Sequence, residues 1–194
     1  YPLVMRVYRS YQAGDLGRAE LIEVLEWLQA LYLRRAIVGL PTERLIARLC
    51  RAQARGRDAL MRAAARITPS DERVRAVLKY AELPHPTYVL GRLLSVSDVS
   101  DFDVEFVAPL APGEAWTGDG ERTWRDLSDD EQNALRALAP TLGNLTLLEQ
   151  GLAERAFGAS FPEKVPVYGR SRVAGTAALA SDAAWNTAAI TART

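Results

Sequence analysis

From Pro2 to about Ser95 the apolar residues recur every three or four positions; beyond Ser95 that period breaks down. A period near 3.6 draws one stripe along a helix, and a period of two draws one face of a strand. The chain therefore has to begin as packed helices and end as something mixed. Leu3, Val4, Val7, Tyr8 and Tyr11 share one side of a predicted helix over 2–13, which Gly14-Asp15 ends. Leu21, Val24, Leu25, Leu28, Leu31, Tyr32 and Ala36 do the same for 17–38, with Gly39 as the stop and Pro41-Thr42 opening the next helix. That helix is expected to run to about Ala54 and to end at Gly56. Further helices are predicted at 58–67, at 71–82 behind a Ser70 cap, and at 87–95 after the break Pro84-His85-Pro86.

Past Ser95, residues 102–107 alternate apolar and acidic side chains, the mark of a strand. Pro109 to Asp119 is rich in Pro and Gly and reads as a loop. Ser128 with Glu131 makes a capping box for a helix at 129–138, which Pro140 and Gly143 end. Leu145-Thr146-Leu147-Leu148 reads as a second short strand, followed by helices at 151–157, 161–171 and 182–192. The fold class expected is mostly α with a small α+β part: an all-α region over 1–95 and an α+β region over 96–194.

A chain of 194 residues, 48% hydrophobic and 25% charged, has the composition of a soluble globular protein with room for one large core or two small ones. No apolar run approaches the roughly 20 residues of a membrane span. The opening residues are too short and poorly flanked for a signal peptide, and the absence of an initiating Met suggests a piece of a longer protein. The single cysteine, Cys50, excludes an internal disulfide and reads as a small core residue; with one histidine, His85, no Cys/His zinc site can be built. A reducing cytoplasm is the expected setting. The 22 arginines against two lysines fit a GC-rich genome and carry no functional weight by themselves.

The net charge of zero conceals an asymmetry: residues 1–96 hold 16 basic and 9 acidic residues, and 97–194 hold 8 and 15. Arg44, Arg48, Arg51 and Arg55 recur at steps of four, three and four, which puts them on one face of a helix. Such a stripe can neutralise phosphates along a nucleic-acid backbone. It can equally be a solvated face paired with acids from the other half.

Four segments of the C-terminal half occur in a recognisable order: Asp103-Val104-Glu105-Phe106-Val107-Ala108-Pro109, Leu142-Gly143-Asn144-Leu145-Thr146-Leu147-Leu148, Ser160-Phe161-Pro162-Glu163-Lys164, and Trp185 with Ile190 and Arg193. In that order and spacing they resemble the HNH-like nuclease domain at the C-terminus of the GmrSD/SspE group of anti-phage restriction endonucleases, SspE belonging to a phosphorothioation-linked defence system. Arg34-Arg35-Ala36-Ile37-Val38-Gly39-Leu40-Pro41-Thr42 resembles the helical region that precedes it. The resemblance implies a ββα-metal site over 96–194, a divalent metal (Mg or Mn), double-stranded phage DNA as partner, and a separate N-terminal nucleotide-hydrolysing domain. In such a site a histidine activates water, an acid and a His or Asn hold the metal, and a turn asparagine supports the backbone.

Carried over residue by residue, Glu105 matches the acid before the family histidine and would hold metal, and Phe106 occupies the histidine position. Asn144 matches the turn asparagine, Ala153 stands where the family has an asparagine, and Lys164 matches a lysine that could reach a phosphate. Phenylalanine accepts no proton and alanine offers no ligand oxygen, so the resemblance implies an endonuclease impaired in this chain. Two explanations fit the loss: substitution at these two positions, which the clean match around them favours, or a natural pseudo-nuclease kept for binding. The alternatives to a nuclease are a non-catalytic DNA-binding module and a regulatory module serving the N-terminal domain. Without the resemblance, Glu105 is a solvent-facing strand residue, Asn144 a turn residue, Lys164 a surface lysine, and Trp116, Trp124 and Trp185 are core or loop anchors.

Overall fold

A computed structural model of the chain describes residues 2–194. It forms two compact units, one up to Val77 and one from Leu78 to Thr194. The first holds α1 (Pro2–Gln12), α2 (Arg18–Ile37), α3 (Leu45–Gln53), α4 (Arg57–Ala65) and the first part of α5 (Asp71–Tyr80). The division falls inside α5, ahead of the change in sequence pattern near Ser95, because α6 (Pro86–Leu93) packs on the sheet of the second unit.

The core of the first unit is Leu3 and Val7 from α1, Leu21, Val24, Leu28 and Leu31 from α2, Leu49 from α3, and Leu60 and Ala64 from α4. Fully burying a leucine contributes about 1.5–3 kcal/mol, so this row defines the unit. The expected stripe on α1 is narrower than its sequence suggests: Val4 and Tyr8 stay exposed. α3 also starts later than expected. In a helix from Pro41 the carbonyl of that residue would accept from Leu45 N; instead it accepts the buried Arg35 guanidinium at 2.6 Å, and Leu45 N turns to Thr42 O at 3.1 Å. The same guanidinium donates to Ile67 O at 3.0 Å, so one cation fastens two loops beside α2.

The second unit contains β1 (Phe102–Phe106), α7 (Asp129–Leu138), β2 (Leu145–Glu149), α8 (Gln150–Ala156), α9 (Phe161–Tyr168), α10 (Ala174–Ala177) and α11 (Thr187–Ala192). β1 and β2 pair antiparallel, with Phe102 opposite Glu149 and Phe106 opposite Leu145. The core gathers Val107, Trp116, Trp124, Leu135, Leu148, Phe161, Tyr168, Leu179, Trp185 and Ile190, so the three tryptophans are core anchors as expected. The Ser128–Glu131 capping box is formed: Ser128 N donates to Glu131 Oε2 at 2.8 Å and Glu131 N to Ser128 Oγ at 3.3 Å.

Two predictions for the C-terminal helices are corrected. The last helix begins at Thr187, not 182, because Trp185 N donates to Gly118 O at 2.8 Å and its ring is buried, which holds the chain out of helical form. Asn186 then caps the helix, its side chain accepting from Ala189 N at 3.0 Å. The helix from 161 stops at Tyr168, and α10 was not foreseen, since a run of Ala, Gly and Thr has no apolar period.

Candidate functional site

The second unit runs strand, long connection, strand, helix: β1, then residues 107–144, then β2 leading directly into α8. Glu105 shares a face of β1 with the exposed Asp103, yet is itself buried at the end of the strand, and Phe106 is half-buried. The Glu105 carboxylate, 8% exposed, is met by two donors from α9: Lys164 Nζ at 2.7 Å and the Tyr168 hydroxyl at 2.8 Å, both reaching Oε1. Lys164 and Tyr168 are four apart, so one helix face presents both. Lys164 Nζ also donates to the carbonyls of Phe106 at 2.8 Å and Val107 at 3.1 Å. An ammonium has three protons, and here three oxygens take them. Burial, reinforced by the charge and hydrogen bond of Glu105, pushes the Tyr168 phenol far above its usual range and keeps it a neutral donor.

Asn144 is fully buried in the turn before β2. Its Oδ1 accepts from Ala108 N and from Trp185 Nε1, each at 2.8 Å; its Nδ2 donates to Ala108 O at 2.7 Å and Ala139 O at 2.8 Å. Both protons and both lone pairs of the amide are thus in use. Its own carbonyl accepts from Val107 N at 3.0 Å. Gly143 beside it is dictated by contact: a Cβ there would lie 2.1 Å from Ile190 O. Arg193 closes the far side, donating to Leu145 O at 2.9 Å and Gly143 O at 3.2 Å, and burial pushes its guanidinium downward in pKa.

The end of β1 therefore brings Glu105, Phe106, Asn144 and Lys164 into one neighbourhood. Ala153 lies on α8, half-buried and packed against the cluster that holds Val107 and Leu148. Two expected roles disagree with these positions. Lys164 is 3% exposed with its ammonium saturated, so it is a buried brace and not a group reaching for phosphate. Glu105 faces a lysine and a tyrosine inside the protein, where the sequence suggested a metal ligand. Among the described residues no group of three His, Cys, Asp or Glu side chains converges. With Phe106 and Ala153 offering no donor, the residues present do not fit a divalent ion at this position. His85 is an exposed residue in left-handed conformation at φ 52°, capping α6.

Arg44, Arg48, Arg51 and Arg55 lie in the first unit and are all exposed; Arg48 and Arg51 sit on α3, while Arg44 caps it and Arg55 follows it. Sequence reasoning missed Tyr168 and the Asn144–Trp185 bond. The spacing of Lys164 and Tyr168 was the available signal for the first; nothing local announces the second. Two of the cavities lie elsewhere: about 550 Å³ beside Asp15, Glu20, Arg55 and Arg57, and about 540 Å³ between Ser95, Asp101, Phe102 and Arg172.

The second unit is thus a mostly helical domain around one two-stranded antiparallel sheet, braced by a buried ion pair. Over residues 57–194 the chain matches the family described as GmrSD restriction endonucleases, C-terminal domain, and it belongs to that family. No curated protein and no solved structure matches it.

Proposed function

We propose that this chain is the DNA-handling end of an anti-phage restriction endonuclease, built on an HNH-like ββα scaffold whose hydrolytic chemistry is impaired here. The observation that carries the reading is the neighbourhood of Phe106: it ends β1 opposite Leu145, next to Asn144, and β2 feeds straight into α8 with Ala153. That is the order of parts an HNH-like site uses. The Asn144 amide grips Ala108, two residues beyond Phe106, as a turn asparagine supporting the site would. Phosphodiester hydrolysis at this place needs a group that takes a proton from water, and phenylalanine is not one. Loss of a positioned base alone costs roughly 10²–10⁴-fold in rate.

The unfit donor set favours a second reading. The same scaffold serves as a non-catalytic DNA-binding or regulatory module, partnered in the full protein by an N-terminal nucleotide-hydrolysing domain. Double-stranded phage DNA, with phosphorothioation as a candidate for the modification sensed, is the partner of a nuclease or a DNA-binding module, and the N-terminal domain is the partner of a regulatory one. No described helix is long and apolar enough to cross a membrane; a cytoplasmic setting is part of the proposal.

Nicking of supercoiled plasmid in Mg²⁺ and in Mn²⁺ tests the reading, with the chain as given and with Phe106→His/Ala153→Asn. The chain as given is expected to be silent and the double variant to nick. Efficient cleavage by the unsubstituted chain overturns the impairment. Silence from both, with DNA still bound, favours the binding module.

A further inference from the structure

We propose that the exposed arginines on and beside α3, with Arg44 at its N-cap, Arg48 and Arg51 on it and Arg55 just past its end, form a docking surface for the phosphate backbone of duplex DNA. The family match begins at Arg57, so this face lies wholly ahead of the matched region.

Within the first unit the arginines are used in different ways. Arg34 is paired with Asp71 and Arg57 with Glu23, while the buried Arg35 serves two carbonyls. The guanidinium groups of Arg44, Arg48, Arg51 and Arg55 have no ion pair or hydrogen bond among the described residues. Only one carboxylate, Glu43, lies between Pro41 and Arg57. Among the described residues of the first unit, then, no acid pairs with the stripe.

The arrangement also works against the helix that carries it. Arg48 and Arg51, both on α3, are like charges at i,i+3, which repel across one face. Arg44 stands at the N-cap, where the helix dipole disfavours a cation. The dipole favours Arg51 in the last turn, but the repulsion and the cation at the N-cap have no acid beside them, and an anion laid along the helix relieves both. α3 is about 14 Å long, a length over which a duplex presents several phosphates. Guanidinium forks match phosphate oxygens, and none is buried so as to read bases, so the contact is sequence-tolerant.

The inference takes from the proposed function only the identity of the polymer, and the two fail separately. Its test is titration of the full chain with a fluorescent duplex of random sequence between 50 and 200 mM salt. Four phosphate contacts give a slope of about −3.6 in log affinity against log salt, a loss on the order of 10²-fold across that range. Arg44→Gln/Arg48→Gln/Arg51→Gln/Arg55→Gln is expected to flatten the slope by about 3.6 without lowering the melting temperature, and the corresponding four Arg→Lys changes to keep most of it. Should the fourfold variant not fold, Arg48→Gln and Arg51→Gln singly are each expected to flatten the slope by about 1. Unchanged affinity and slope overturn the docking surface while leaving any nicking by Phe106→His/Ala153→Asn intact. Tighter binding of poly-glutamate than of the duplex overturns it in favour of an acidic protein partner.

Discussion

Glu105 and Lys164, 59 residues apart in sequence, meet at 2.7 Å with both side chains out of water. Because Lys164 also holds the carbonyls of Phe106 and Val107, the pair fixes the backbone at the point where β1 leaves the sheet. Removing one partner of a buried pair leaves a charge without its counter-ion and costs about 3–5 kcal/mol. Lys164→Met is therefore expected to lose that much in urea unfolding. Glu105→Leu/Lys164→Met should lose less than Lys164→Met alone, since no bare charge remains. A cost under about 1 kcal/mol for the single change would show that the pair is open to water.

Asn144 invites a sharper test. Asn144→Ala strands Ala108 N, Ala108 O, Ala139 O and Trp185 Nε1 in the interior. At about 1–3 kcal/mol for each unsatisfied buried group, partly relieved by water entry, the expected loss is about 3–5 kcal/mol. Trp185 emission should shift to the red as its indole gains water; a variant with native stability and unshifted emission refutes the four-bond account.

Two glycines beside the same site should respond in opposite ways. At Gly143 a Cβ meets the Ile190 carbonyl at 2.1 Å and Thr194 Oγ1 at 2.5 Å, so Gly143→Ala must displace the last helix, an overpacking cost of about 1–3 kcal/mol or more. Gly151, within α8, has nothing within 4 Å, and Gly151→Ala should stabilise by about 0.5–1 kcal/mol. Thermal melts of both variants check the contrast, and equal shifts would contradict it.

Glu131 sets an acid-side prediction. Hydrogen bonding from Arg122, then from the Ser128 backbone and hydroxyl, holds its carboxyl down to about 2. A depressed carboxyl stabilises the fold above its unfolded value near 4.3, and that contribution disappears as pH falls toward 2. Glu131→Gln should thus lower the melting temperature at pH 7, and the gap to the unsubstituted chain should narrow progressively below about pH 4.3. A gap independent of pH would assign the effect to something other than charge.

The helices were legible because their cause is local. The stripe from Leu21 to Leu31 writes α2 directly, Ser128 and Glu131 write the start of α7, and the alternation over 102–107 writes β1. The family was legible in the order of four short segments. The details of the site were not. Glu105 and Lys164 read as a metal ligand and a phosphate contact, and only their meeting makes them a buried brace.

The local code thus determined which stretches coil, which extend, and that Phe106 and Ala153 bring no proton acceptor or ligand to the chemistry. Tertiary structure alone decided what the polar groups face: Glu105 toward α9, Asn144 toward Ala108 and Trp185, and Arg35 toward Pro41, which delayed the start of α3. The reason is one of range. Backbone propensity and amphipathic period act over a few residues. The partner of a buried charge or amide is chosen by which distant element arrives beside it, and an unpartnered one costs too much to remain in the interior.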